Sequence, residues 1–151
     1  MPKAKVAKKK RVTKKTKKEA IKVAPETKPA KKGKKILIIE DERPLSHALE
    51  LKLGNSGFET KVISTGTEGI KEVLDPKYDL ILLDIILPGV DGFAIMEECK
   101  KKKIKTPIIV LSNLGQEEDK ERAKKLGVID YCVKVQMPLS QIVSRIKSAL
   151  K

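Results

Sequence analysis

Residues 79–93 read Asp-Leu-Ile-Leu-Leu-Asp-Ile-Ile-Leu-Pro-Gly-Val-Asp-Gly-Phe (DLILLDIILPGVDGF). Leu80 to Leu83 is an apolar run without alternation, as a strand buried on both faces requires. It stops abruptly at Asp84. Pro88 and Gly89 mark a turn, and Asp91 stands where a helix cap belongs, ahead of Phe93, Ile95 and Met96. One strand, one loop and one helix are therefore legible in this stretch, with a carboxylate at the strand's carboxyl end.

The same unit repeats outward in both directions. Ile36 to Ile39 is a second unbroken apolar run, followed by Pro44 in a first helical turn and a stripe of Leu45, Leu49 and Leu51 to Leu53. Phe58 to Ser64 alternates like a strand, and Gly66 to Leu74 reads as a short helix. Downstream, Pro107 to Leu111 is a third apolar strand. Gln116 to Leu126 is a polar helix stopped by Gly127, and Val128 to Val133 is the last strand. Leu139, Ile142, Val143, Ile146 and Leu150 outline a final amphipathic helix. The order βαβαβαβαβα predicts a doubly wound α/β fold, with five parallel strands covered by helices on both faces.

Charge divides the 151-residue chain. Residues 1–35 hold 15 Lys and Arg11 against Glu19 and Glu26, whereas residues 36–151 hold 18 basic and 18 acidic side chains. The segment 1–34 has no aromatic residue and no apolar stripe, so it predicts a disordered Lys-rich basic tail ahead of a domain at 35–151. The longest apolar stretch, Leu80 to Leu87, is broken by Asp84 and far short of the ~20 residues of a membrane span. The basic N-terminus lacks the apolar core of a secretory signal. Cys99 and Cys132 have neither metal nor redox spacing and read as reduced core thiols. With His47 as the only histidine, a His/Cys metal site is excluded in practice, and the expectation is a cytoplasmic protein.

In a doubly wound sheet, ligands bind beyond the carboxyl ends of the strands. Those ends present Glu40-Asp41, Asp84, Ser112 and Lys134. Clustered carboxylates need a cation, and an oxygen-only set favours Mg²⁺. A carboxylate at Asp84, beside a metal and a lysine, suits nucleophilic attack on phosphorus. A haloacid-dehalogenase-type phosphatase also uses such an Asp, but it needs a second acid two residues on, where Ile86 stands.

Four segments together resemble the receiver domain of bacterial two-component response regulators: Ile36–Glu42 (ILIIEDE), Asp79–Phe93, Pro107–Ser112 (PIIVLS) and Gly127–Lys134 (GVIDYCVK). The resemblance implies a (βα)5 flavodoxin-like fold with strand order 2-1-3-4-5. It implies phosphorylation at Asp84 by a sensor histidine kinase or phosphotransfer protein. Asp41, Asp84 and the Ile86 carbonyl would ligate Mg²⁺, with Glu40 acting through a metal-bound water. Ser112 would be the switch hydroxyl, Lys134 the phosphate-binding lysine and Tyr131 the switch aromatic. Phosphorylation would then alter the face of the fourth helix, fifth strand and fifth helix, and so change binding of a downstream protein. Ile86 and Leu114 would flank the path of the hydrolytic water and slow dephosphorylation. Such a chain assists its own phosphorylation and dephosphorylation, but is not an enzyme in the usual sense.

Three departures from the family pattern stand out. Val135 follows Lys134 where proline is usual, so a cis bond there would cost ~3 kcal/mol. Asn113 replaces a small residue and narrows access to the phosphoryl group. No output domain follows Lys151, which predicts a stand-alone, chemotaxis-receiver-like chain. The rival reading is a nucleic-acid-associated protein that binds polyanions non-specifically through residues 1–34, with the receiver as structural platform. Gel shift of an arm-deleted chain, set against phosphorylation by acetyl phosphate, separates the two.

Overall fold

The computed structural model describes residues 33–151; the expected disordered tail therefore lies almost wholly outside the described residues. The elements are β1 (Lys35–Ile39), α1 (Arg43–Asn55), β2 (Glu59–Ile63), α2 (Gly66–Glu72), β3 (Leu80–Leu83), α3 (Gly92–Lys101), β4 (Ile108–Ser112), α4 (Glu117–Lys125), β5 (Asp130–Val133) and α5 (Leu139–Ala149). All strand pairs are parallel, in the order β2-β1-β3-β4-β5. The expected doubly wound topology is the one observed.

Side chains alternate across the central strands with period two, which splits the core into two layers. Leu37, Ile39, Ile81, Leu83 and Val110 face Val73, Ile95, Met96 and Ala123. Ile36, Ile38, Leu80, Leu82, Ile109 and Leu111 face Leu49, Leu53, Ile142, Val143 and Ile146. Both faces of β3 are thus sealed, and each of its four residues is at most 1% exposed. The strand needs no polar face, and this is why its sequence does not alternate.

Local chemistry sets the helix ends. Pro44 occupies the first turn of α1, where its missing N–H is no loss. The Thr65 hydroxyl accepts from the Glu68 N–H at 3.2 Å and opens α2. Asp91 Oδ1 accepts from the Ala94 N–H at 2.9 Å and opens α3. Helix α4 has little to bury beyond Ala123. Instead it carries Glu117, Glu118 and Asp119 in its first turn and Arg122, Lys124 and Lys125 in its last, each sign complementing the helix dipole. No peptide bond among the described residues is cis, so the Lys134–Val135 link is trans, and Lys134–Gln136 forms a 3-10 turn. No described helix is long and apolar enough to cross a membrane.

Candidate functional site

The carboxyl ends of β1, β3, β4 and β5 bring Glu40, Asp41, Asp84, Ser112 and Lys134 to one rim. Carboxylate oxygens of Glu40, Asp41 and Asp84 lie within 4.8 Å of one another. Glu40 and Asp84 are buried, and Asp41 is exposed at the mouth.

Asp84 is held from two sides. Its Oδ1 accepts from the Ile85 N–H at 2.7 Å, and its Oδ2 accepts from Lys134 Nζ at 2.9 Å. Gly92 backs this turn, since a Cβ there would come within 2.4 Å of the Asp84 carbonyl oxygen. The Lys134 ammonium is shared further, standing 2.8 Å from Glu40 Oε2 and 2.9 Å from Glu42 Oε1. Burial by itself lowers a lysine pKa; the close carboxylates of Glu40, Asp84 and Glu42 outweigh it and hold Lys134 charged, above the ordinary lysine value. Glu42 is a site residue that the motif reading gave no role. The signal for it was only the third acid in Glu40-Asp41-Glu42.

Glu40 bears the electrostatic cost of this arrangement. Burial pushes its carboxyl up to about 7, against the lowering effects of Lys134 and of the Glu42 N–H on Glu40 Oε1. Lys134 lies close to Glu40 Oε2 but off the line of a directed hydrogen bond, so that buried oxygen lacks a hydrogen-bond partner. A buried oxygen in this condition, within reach of two further carboxylates, fits a hard divalent cation approached from the Asp41 side.

Ser112 is fully buried, and its Oγ accepts from the Leu114 N–H at 3.2 Å. Tyr131 is half-buried, and its hydroxyl donates to the Leu114 carbonyl at 2.6 Å. Burial, with the Asp119 charge adding to it, pushes the Tyr131 phenol up to about 12. The two residues expected to gate water differ in placement. Ile86 is 60% exposed at the rim, whereas the Leu114 side chain packs against the core. Asn113 is exposed. His47 is exposed as well and lines a cleft of about 550 Å³ with Glu40, Arg43 and Glu50 along α1. Cys99 and Cys132 are buried free thiols.

A strand-end carboxylate paired to a buried lysine, with two more acids and a hydroxyl around it, matches a known family over most of the chain. The response regulator receiver domain model aligns with residues 36–147. The chain belongs to that family. Over 119 residues this receiver is 34% identical to the alkaline phosphatase synthesis transcriptional regulatory protein PhoP of Bacillus subtilis, covering 79% of this chain and 49% of PhoP. It is 35% identical over 117 residues to the transcriptional regulatory protein ResD of the same organism, covering 78% of this chain and 48% of ResD. The receiver chain thus spans about half the length of these relatives. Among solved structures it resembles the receiver domain of the Francisella response regulator 1452, with TM-score 0.73 and 27% identity over 78% of this chain and 97% of that one. It also resembles the BeF3-activated N-terminal receiver domain of Klebsiella pneumoniae RstA, with TM-score 0.70 and 26% identity over 78% of this chain and 98% of that one. Family membership places the receiver in two-component response regulation.

Proposed function

We propose that this receiver accepts a phosphoryl group from the phosphohistidine of a sensor kinase or phosphotransfer protein onto Asp84, on the cytoplasmic side of the cell, and that the product is a changed binding state rather than a released chemical. The observation that carries this reading is the Asp84 carboxylate. It is buried, oriented by the Ile85 N–H, and paired at 2.9 Å with a lysine that three acids hold charged.

Asp84 oxygen attacks phosphorus as the donor P–N bond breaks, and the electron pair returns to the imidazole. Glu40, Asp41 and Asp84 would hold Mg²⁺ in this site, with the Ile86 carbonyl as a further oxygen. Mg²⁺, when bound, offsets charge on the phosphoryl oxygens. Lys134 already touches Asp84 Oδ2, so its ammonium can follow negative charge onto the transferred group with little movement. Ser112 Oγ accepts a hydrogen bond from Leu114 and lies against the Tyr131 phenol. Its proton would turn to the phosphoryl group once one is bound. A downstream protein then reads the altered α4-β5-α5 face, on which Tyr131 lies.

The test is Phos-tag electrophoresis after incubation with acetyl phosphate and Mg²⁺. Wild type should shift, and Asp84→Asn should not, with unchanged circular dichroism. An Asp84→Asn chain that shifts at the wild-type rate would place the acceptor elsewhere.

A further inference from the structure

Helices α3 and α4 both finish at the end of the sheet where the strands begin. That end is separated from the Asp84 rim by a strand length, about 17 Å for five residues. Here Lys100, Lys101, Lys103, Lys105, Lys124 and Lys125 are all exposed. Lys100 Nζ donates to the Lys125 carbonyl at 3.0 Å, so the two helix ends are fastened together and their lysines share one surface. Two of the nearby acids are engaged locally, Glu98 with Lys102 at 3.9 Å and Glu97 with Arg122 at 3.2 Å, which leaves exposed Glu121, one turn before Lys125, as the unpaired acid of α4 nearest the patch among the described residues. Among the described residues, Lys101, Lys103, Lys105, Lys124 and Lys125 pair with no carboxylate.

Helix dipoles explain part of this charge, because lysines in a last turn are favoured. They do not explain Lys103 and Lys105, which lie beyond α3. Lys103 is the more informative. Helix α3 ends with Lys103 N–H donating to the Lys100 carbonyl at 3.1 Å and Ile104 N–H to the Cys99 carbonyl at 2.9 Å. Helix α4 ends identically, through Gly127 to Lys124 at 2.9 Å and Val128 to Ala123 at 3.3 Å. This double bond pattern forces a left-handed backbone on the residue after the cap, which is why glycine usually stands there. Gly127 has φ +95° and Lys103 has φ +57°, the only non-glycine with positive φ among the described residues. The fold carries backbone strain at the one position where a glycine would remove a charge from the patch.

We propose that the surface shared by the ends of α3 and α4 docks the phosphate backbone of nucleic acid. Ammonium groups free of carboxylates suit phosphate contacts that release counterions, and no aromatic or groove-sized element is present to read bases, so the contact is sequence-independent. Lipid is a poorer fit, because on α3, α4 and the turns that follow them Ile129, 52% exposed, is the one exposed large apolar side chain. The surface is a strand length from Asp84, so binding by the unphosphorylated chain does not need that carboxylate.

The experiment uses the full chain and fluorescence anisotropy with a fluorescein-labelled mixed-sequence DNA duplex, from roughly 50 to 200 mM salt. One variant combines Lys101→Gln, Lys103→Gly, Lys105→Gln and Lys124→Gln. A control of equal charge loss, in or just past the last turns of the other three helices, combines Lys52→Gln, Lys71→Gln, Lys147→Gln and Lys151→Gln. The patch variant should flatten the slope of log K against log salt by roughly 3.6, at about 0.9 per lost contact, and the control should not. Asp84→Asn should keep the wild-type slope. Lys103→Gly alone should flatten the slope by about 1 and raise the unfolding midpoint by about 3 °C. Equal losses in patch and control variants, or a raised midpoint with an unchanged slope in Lys103→Gly, would overturn the proposal. So would loss of binding to phosphatidylserine vesicles with duplex binding intact.

Discussion

The Tyr131 hydroxyl donates a 2.6 Å hydrogen bond to the backbone carbonyl of Leu114. The Leu114 N–H in turn donates to Ser112 Oγ. One peptide residue therefore ties the switch hydroxyl to the switch aromatic. If Ser112 turns toward a phosphoryl group on Asp84, the Leu114 segment is disturbed and Tyr131 loses its acceptor. Tyr131→Phe removes this tie and should cost about 1 kcal/mol in denaturant unfolding. It should leave Phos-tag mobility after acetyl phosphate unchanged, while the backbone amide resonances of α4 and β5 respond less to phosphorylation than in wild type. An equal NMR response in Tyr131→Phe would show that the hydroxyl transmits nothing.

Lys134 offsets charge in a site that otherwise holds four carboxylates, those of Glu40, Asp41, Glu42 and Asp84. Lys134→Met should destabilise the fold by about 3 kcal/mol, the low end for stripping one partner from a buried ion pair. Millimolar Mg²⁺ should recover part of that loss, because a ligand of the folded state stabilises it by mass action. Asp41→Ala should blunt the rise in unfolding midpoint that Mg²⁺ produces in wild type. Scanning calorimetry with and without Mg²⁺ measures all three, and a Mg²⁺ response unaffected by Asp41→Ala would count against the metal assignment.

Ile86 is the better placed of the two side chains proposed to gate hydrolysis. It is an exposed apolar group at the rim, able to obstruct water and unable to orient it. Leu114 turns its side chain to the core and acts on the site through its backbone. The phosphorylated form should accordingly decay slowly, and Ile86→Asn with Leu114→Glu should speed loss of ³²P label, by as much as ~100-fold where water positioning is restored. Ile86→Asn alone should supply most of the gain. Rapid decay in wild type is the opposing result.

Burial pushes the thiols of Cys99 and Cys132 up to about 11 each. A raised folded-state pKa favours the neutral thiol. The associated stability is full below the ordinary thiol value near 9 and is lost as pH climbs toward 11. Urea midpoints should fall across that window, and fall less in Cys99→Ala/Cys132→Ala. At pH 8 a disulfide reagent should modify neither thiol until the chain unfolds. Fast labelling of the folded protein would contradict the burial.

The amino-acid sequence alone determined the alternation of strands and helices and the identity of the strand-end groups. An unalternating run such as Leu80 to Leu83 has no stable place except between two covered faces, and the first charge after it, Asp84, must lie at the sheet's rim. Asp91 and Pro44 were legible for the same local reason, since caps and first turns act within a few residues. Tertiary structure decided what those groups touch. Glu42 meets Lys134 across 92 positions, and Lys100 reaches the Lys125 carbonyl across 25. The motif gives the Leu114 side chain a gating role, and the fold adds one for its backbone, through contacts with Ser112 and Tyr131. Such partners depend on strand order and on which way each loop turns, and neither leaves a periodic trace in the chain. The trans link before Val135 follows from the residue type, since a non-proline peptide is trans by default, whereas the left-handed backbone at Lys103 is set by the hydrogen bonds around it rather than by its own side chain.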